Sequence, residues 1–258
     1  ALPAVYRCFD TDNDVNFLRN KDVNINLNDF DAIFIVDVAD WSQLGDFADM
    51  IKASSITKIC IDHHASNPGY ADINVIDKDA SSAGELIFDL ITNMNGKITL
   101  EVATPLYLSI ATDTGWFKFS NTSAKALKAC SDLIQVGVKS EIIYEQLFQT
   151  KQMSYLKLLT LALGILRQEC DGKVVWTKLT KEMVKSSGVP FVDTDVIIDL
   201  IRAVKEVEVV IIFREIGNRK TKISLRSKHT VDVAKLASDF GGGGHVRAAG
   251  ASIHEPID

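Results

Sequence analysis

Two uninterrupted apolar runs dominate the first half of the chain. They are Ala32–Asp37 (AIFIVD) and Thr57–Ile61 (TKICI), and a helical pattern near Ser42–Ala53 lies between them. Continuous apolar runs are typical of central strands that helices cover on both faces. The pattern therefore predicts a doubly wound, mostly parallel α/β sheet in the N-terminal half.

Helical periodicity follows these strands. The helices that it predicts are Ser82–Asn93, Glu101–Ala111, Ala124–Val136, Ser140–Phe148 and Met153–Gln168. The last of them is strongly apolar, and the sheet pattern changes after it. We therefore predict an α/β domain at residues 1–150, a linker helix within residues 151–171, and a second domain at residues 172–258.

The second half has the pattern of a smaller α+β domain. A strand is predicted at Lys173–Leu179 and a helix at Asp195–Val204. Two strand-like segments, Glu208–Ile216 and Lys222–Ser227, form a candidate hairpin across residues 217–219. A helix predicted at Val231–Phe240 then leads into four consecutive glycines.

Composition narrows the class of protein. The 258 residues carry a net charge of −6, which argues against the binding of long duplex nucleic acid. No apolar run reaches the roughly 18 residues of a membrane span, and the N-terminus lacks a signal-peptide pattern. Four cysteines without a CxxC pair predict a reduced, cytoplasmic protein.

Charge is divided unevenly along the chain. Residues 1–171 hold 14 basic and 23 acidic side chains, a net charge of −9, whereas residues 172–258 hold 14 and 11, a net charge of +3. An acidic domain that holds cations beside a basic domain that holds an anion would have this pattern. Ordinary surface variation would produce it equally well.

Side chains that can bind metals follow both apolar strands. Asp37 ends the first strand, and Asp62, His63 and His64 follow the second. Ligands of open α/β sheets bind beyond the carboxyl ends of the strands, where aspartate and histidine can hold Mn²⁺ or Mg²⁺. The same residues can instead cap the helices that follow. Asp113, in the segment TDTG after an apolar helix, is either a further ligand or a turn residue.

A glycine cluster with neighbouring cations indicates an anion site in the second domain. Backbone N–H groups of a glycine loop can surround phosphate oxygens, and histidine or arginine beside it adds charge-assisted donors. A flexible loop and a solvated strand arginine are the alternatives. The candidate anion-binding residues are Arg226, Gly241, Gly242, Gly243, Gly244, His245 and Arg247.

Together these motifs resemble the DHH phosphoesterase family with its C-terminal DHHA1 domain. The resemblance rests on Asp62-His63-His64, on Asp37 at the preceding strand end, on Asp113 in TDTG, and on GGGGH at residues 241–245. It covers almost the whole chain, in the same order and with similar spacing. The pattern is most similar to the branch that degrades very short RNA oligomers and 3′-phosphoadenosine 5′-phosphate.

The resemblance implies roles for individual residues. Asp37, His63 and Asp113 would bind two Mn²⁺ ions, or Mg²⁺ instead, while His64 faces the scissile phosphate and Asp62 supports the site. Across a cleft between the two domains, the anion-binding residues would hold a terminal phosphate or sugar. The implied partners are short RNA oligonucleotides or small phosphorylated nucleotides, and a homodimer is left open.

One element of the family pattern is not found in the chain. The family has an N-terminal strand followed by an H-x-x-P-D-x-D-A type motif, whereas residues 10–14 (DTDND) lack its His and Pro. The chain also starts with Ala1 rather than Met. We therefore expect an N-terminally trimmed version of a longer protein, cut at Asp258 just before a final helix. A paralogue that has lost part of its metal shell is the alternative.

The expected function is metal-dependent hydrolysis. The substrates would be short oligoribonucleotides, cleaved to mononucleotides, 3′-phosphoadenosine 5′-phosphate, cleaved to AMP, or both. One alternative is a hydrolase of the same family that acts on cyclic dinucleotides, polyphosphate or pyrophosphate. The other is a non-catalytic nucleotide-binding protein.

Overall fold

The structure is a computed structural model that describes residues 25–190, 192, 194–217 and 219–257, together with Tyr6 and Phe9. The chain divides into two units, Ala1–Thr150 and Lys151–Asp258. Residues 10–14, Asn218 of the predicted hairpin turn and both chain ends lie outside the described residues. In the part of the chain that is described, no helix has the length and apolar character to cross a membrane.

The first unit contains a parallel sheet of three strands in the order β1-β2-β3, which confirms the predicted α/β class. The strands are β1 (Ala32–Val36), β2 (Thr57–Asp62) and β3 (Ile73–Ile76). The sequence pattern missed β3, because a run of four mostly exposed residues is too short for its period to be recognised.

Helices follow the strands and build most of the core of this unit. They are α1 (Phe47–Ala53), α2 (Ala83–Asn93), α3 (Leu100–Asp113), α4 (Ala124–Val136) and α5 (Ser140–Phe148). The predicted helix over residues 101–111 continues for two further residues, so Asp113 is the last residue of α3 rather than part of the following turn. A short 3-10 helix replaces the first turn of the helix predicted near Ser42–Ala53.

The second unit contains a mixed sheet of six strands in the order β4-β5-β6-β7-β9-β8, in which only β5 and β6 pair in parallel. The strands are β4 (Arg167–Glu169), β5 (Val174–Leu179), β6 (Val209–Gly217), β7 (Lys220–Ser227), β8 (Gly243–His245) and β9 (Ala248–Ile253). The helices are α6 (Met153–Gly164), α7 (Lys181–Ser187), α8 (Asp195–Arg202) and α9 (Val233–Ser238).

The two faces of this sheet carry different helices. Val210 and Ile212 of β6 pack with residues of α6 and α8 on one face, whereas Val209 packs with residues of α9 on the other. This alternation follows from the two-residue period of a strand. The segment predicted as a linker helix therefore belongs to the core of the second unit, where Leu158 and Ala162 are fully buried. It ends at Gly164, and residues predicted as its last turn form β4 instead.

Glu208 fastens the loop between β7 and α9. Its Oε1 atom accepts hydrogen bonds from the backbone N–H groups of His229, Thr230 and Val231, and from the Thr230 hydroxyl. These donors, the Thr230 N–H first among them, lower the pKa of Glu208 to about 2. The loop is thus stabilised by the ionised form of one carboxylate.

We expect a Glu208→Gln variant to lose stability in a pH-dependent way. The folded-state pKa lies below the ordinary value of 4.5, so the stabilisation is fully present above about pH 4.5 and is lost as the pH falls towards about 2. Thermal unfolding of wild type and variant should therefore differ most at neutral pH and converge in acid. Glu206→Gln, two residues away, controls for the removal of one acidic side chain. A difference that stays constant with pH would assign the effect to shape rather than charge.

Candidate functional site

Strand register brings the first set of predicted residues together. Val36 pairs with Ile61 in the parallel sheet, and the Asp37 N–H continues the ladder to the Ile61 carbonyl. Asp37 consequently lies beside the residues that follow β2, and its Oδ1 atom is 3.4 Å from Nε2 of His63. The predicted convergence at this edge of the sheet is confirmed.

Asp113 reaches the same point from the end of α3. Its Oδ2 atom lies 3.7 Å from Nε2 of His63, so one imidazole nitrogen faces two carboxylates. Burial raises the pKa of Asp113, and the negative charge of Asp37 raises it further. A positive charge at this point would reduce the repulsion between the two carboxylates.

His63 is oriented so that it can supply a lone pair to that point. Its Nδ1 atom lies 3.4 Å from the Ala80 carbonyl oxygen, which can only accept a hydrogen bond. With the proton on Nδ1, the Nε2 lone pair faces Asp37 and Asp113. This contact between acceptors is unfavourable unless a cation lies among them, and a carbonyl behind a ligating imidazole is the usual arrangement in metal sites.

Asp62 is fully buried and holds the residues around it in place. Its carboxylate accepts hydrogen bonds from Nδ1 of His64 and Nδ2 of Asn67, both at 2.7 Å, and from the His63 N–H at 2.8 Å. Burial alone would raise the pKa of Asp62, but the hydrogen bonds outweigh burial and keep the pKa below its ordinary value. The same contact with Asp62 raises the pKa of His64.

Asn67 was not among the site residues predicted from the sequence. Besides Asp62, its amide contacts the carbonyl oxygen of Val38, one residue after Asp37, at 3.2 Å. Asn67 therefore links the turn after β2 to the turn after β1. The signal that could have revealed it is a short amide side chain three residues after His64, because Asn is common where a side chain satisfies neighbouring turns.

The donor set fits a divalent cation. One ligand atom from each of Asp37, Asp62, His63 and His64 lies within 4.8 Å of the others. Asp113 is not part of that group, but its Oδ2 atom lies 3.7 Å from Nε2 of His63. Because the oxygens of Asp62 already accept several hydrogen bonds, we propose Asp37, His63 and Asp113 as the ligands. Carboxylate oxygens together with one imidazole suit Mn²⁺ and also accept Mg²⁺.

The second unit places two of the predicted anion-binding residues in one row. Arg226 on β7 pairs with Ala248 on β9, and Ala248 pairs with His245 on β8. Residues directly opposite one another in a sheet share a face, so the arginine and the histidine flank a small alanine. Arg226 also donates to Oδ1 of Asp195 at 2.8 Å, which fixes its guanidinium.

Arg247 does not share this row. Its guanidinium donates to the carbonyl oxygen of Val231 at 2.8 Å, where it holds the loop before α9. The guanidinium of Arg247 therefore has a structural hydrogen bond to the backbone of this loop.

The four glycines are not an open phosphate-binding loop. Gly241 has a φ of +68° and lies in the turn after α9, where its N–H donates to the Ser238 carbonyl oxygen, and Gly243 and Gly244 belong to β8. A Cβ atom on Gly242 would lie 2.2 Å from the Gly250 carbonyl oxygen, and one on Gly244 would lie 2.5 Å from the Ala248 carbonyl oxygen. Packing against β9 therefore requires glycine at these two positions. A Cβ atom on Gly243 would meet nothing within 4 Å, so packing within the protein does not explain why this position is glycine.

Two family models match the chain. The model of the DHH family N-terminal domain matches residues 2–110, and that of the DHHA1 domain matches residues 171–258.

Relatives of known name support the same assignment. The bifunctional oligoribonuclease and PAP phosphatase NrnA of Thermus thermophilus is 34% identical over 195 residues, which cover 76% of this chain and 58% of that protein. The protein of the same name from Bacillus subtilis is 29% identical, with 85% and 70% covered. The crystal structure of an exopolyphosphatase-related protein from Bacteroides fragilis superposes with a TM-score of 0.80 and 28% identity, over 88% of this chain and 67% of that one.

We expect Mn²⁺ to stabilise the protein through this site. At about a hundred times its dissociation constant, a ligand that binds only the folded state adds about 2.7 kcal/mol to the free energy of unfolding. The rise in melting temperature should be lost in Asp37→Asn and in His63→Ala. Asp40→Asn is the matched control, because Asp40 caps the neighbouring 3-10 helix through Ser42. An equal rise in all four proteins would place the cation elsewhere.

Proposed function

The chain belongs to the DHH phosphoesterase family with a C-terminal DHHA1 domain, and from this membership we propose that the protein hydrolyses short oligoribonucleotides to mononucleotides and 3′-phosphoadenosine 5′-phosphate to AMP. The observation that carries the proposal is that Nε2 of His63 lies 3.4 Å from Oδ1 of Asp37 and 3.7 Å from Oδ2 of Asp113. Because the chain spans 58% of the length of the Thermus relative, activity and substrates are proposed for the whole protein.

Asp37, His63 and Asp113 are the residues that would hold Mn²⁺, with Mg²⁺ as the alternative. Two bound divalent cations supply a water of lowered pKa and a positive charge beside the phosphate oxygens. The three side chains contribute fixed positions: Asp37 follows a strand directly, Asp113 ends a helix, and His63 lies against the Ala80 carbonyl oxygen.

His64 is the group that we assign to the phosphate. Its Nδ1 atom is bound to Asp62, so Nε2 is the nitrogen left to face a substrate. The hydrogen bond to Asp62 raises the pKa of His64 and favours the form with protons on both nitrogens. Nε2–H would then donate to a phosphate oxygen and stabilise the negative charge that grows there.

The second unit would hold the end of the substrate. Arg226 and His245 flank Ala248, and the neighbouring row on the same face is formed by Ser224, Gly250 and Gly243. Two donors beside a shelf of small residues suit a terminal phosphate and its sugar. A defined site for one end of the substrate favours molecules of a few nucleotides, because it fixes the register of the scissile bond.

One other hydrolase activity has a specific observation in its favour. The Bacteroides fragilis protein of similar fold is described as exopolyphosphatase-related. Inorganic polyphosphate therefore belongs among the test substrates, together with pyrophosphate and a cyclic dinucleotide. Nucleotide binding without metal and without turnover would indicate a non-catalytic protein instead.

We expect Mn²⁺-dependent release of mononucleotides from RNA of two to five nucleotides by the whole protein. Asp37→Ala and His63→Ala should lower this rate by at least about 100-fold, since loss of even an outer-shell partner costs roughly 10- to 100-fold in metal sites. Asp40→Ala serves as the control. Unchanged turnover in the first two variants would exclude these ligands, and preference for polyphosphate would exclude the proposed substrate.

We expect Gly243→Ala to weaken the binding of 3′-phosphoadenosine 5′-phosphate by about tenfold or more, equal to about 1.4 kcal/mol. The added methyl group would enter the shelf where the substrate lies, while the fold has room for it. Calorimetric titration measures the affinity, and thermal unfolding checks that stability is unchanged.

Gly164→Ala is the matched control, because its Cβ atom also meets nothing within 4 Å in the same unit. Gly244→Ala should instead destabilise the fold through its contact with Ala248. Normal affinity in Gly243→Ala would show that no ligand approaches β8.

A further inference from the structure

The loop after α3 holds one partly exposed aromatic side chain beside Gly115, two residues after Asp113. Trp116 and Phe117 pack against the core of the first unit, whereas Phe119 is 52% exposed. The ring of Phe119 lies against the backbone of Gly115, two residues after Asp113. A Cβ atom on Gly115 would be only 2.4 Å from that ring, so the glycine is what allows the contact.

Hydrogen bonds fix the backbone of the loop that carries this ring. The N–H groups of Lys118 and Phe119 both donate to the carbonyl oxygen of buried Thr114, at 3.0 Å. Asn121 closes the loop, because its amide donates to the Asp113 carbonyl oxygen at 3.1 Å and to the Ser81 carbonyl oxygen at 3.0 Å. The backbone that carries the ring is therefore held in place relative to Asp113.

A half-exposed ring on a fixed loop beside Asp113 can stack on a nucleotide base. Exposure alone does not distinguish Phe119, since Phe30 and Phe34 are exposed to a similar extent. What distinguishes Phe119 is its contact with Gly115, two residues after Asp113. A base is joined to its phosphate through a single sugar, so a phosphate at the proposed cation site would bring its base close to this loop. Aromatic side chains stack on bases irrespective of sequence.

We propose that Phe119 stacks on the base of the nucleotide whose phosphate lies at the proposed cation site of Asp37, His63 and Asp113. Phe119 thereby makes the site selective for nucleotides over phosphoesters and phosphoanhydrides that carry no base. The proposal rests on the proposed function, and it assigns to the first unit a contact with the base rather than with the phosphate.

The test compares two substrates and three variants of the whole protein. The substrates are an RNA dinucleotide and a dinucleotide of equal charge whose bases are replaced by hydrogen. Phe119→Leu removes the aromatic ring, Phe119→Tyr retains it, and Phe30→Leu alters a similarly exposed phenylalanine near the opposite end of β1.

We expect Phe119→Leu to raise KM for the RNA dinucleotide by about 5- to 150-fold, the range that corresponds to about 1–3 kcal/mol of stacking per base. The kcat should stay within about twofold, and Phe119→Tyr and Phe30→Leu should resemble the wild type. KM of the base-free dinucleotide should be high in the wild type and unchanged in Phe119→Leu.

Other outcomes separate this inference from the proposed function. Equal KM values for the two dinucleotides in the wild type would overturn the role of Phe119, even if Phe119→Leu fails to fold, and would leave the hydrolase intact. Equal losses with both substrates in Phe119→Leu would show that the ring only supports the Gly115 turn. A wild-type protein that cleaves neither dinucleotide would overturn both proposals.

Discussion

The candidate site depends on one buried charge, the carboxylate of Asp62. A carboxylate removed from water is unfavourable unless hydrogen bonds satisfy it. Asp62 meets this condition by accepting from His64, from Asn67 and from the backbone after β2. Those bonds set the direction of His64 and hold Asn67, whose amide also donates to the Val38 carbonyl oxygen in the turn after β1. The hydrogen bonds that satisfy this one buried group therefore also hold His63 and His64 beside Asp37.

The two units divide the chemistry according to charge. In the first unit, the carboxylates of Asp37 and Asp113 face one imidazole, an arrangement that suits a cation. In the second unit, Arg226 and His245 flank a row of small residues, an arrangement that suits an anion. The net charge of the sequence follows the same pattern, negative in residues 1–171 and positive in residues 172–258. Under the proposed function, the first unit would bind the cation and the second unit would bind an anionic group of the substrate.

The strands β1 and β2 and the metal-binding candidates after them could be predicted from the sequence because both are local signals. An apolar run that ends in Asp37, and another that ends in Asp62-His63-His64, are sufficient to predict a shared edge in a parallel sheet. Asn67 and Asn121 could not be found in this way, since their importance lies in contacts with residues 29 and 40 positions away. The packing role of Gly242 and Gly244 could not be predicted for a related reason, because it depends on β9, a strand that follows them in the chain.

Asp37 differs from its neighbours in one further respect, because its backbone has a φ of 61°. Left-handed backbone is unfavourable for any residue with a Cβ atom, by roughly 1–2 kcal/mol, although aspartate tolerates it better than most. A glycine at this position would relieve the strain but would remove the carboxylate. The chain therefore gives up some stability at position 37 in exchange for a carboxylate, which under the proposed function would bind the cation.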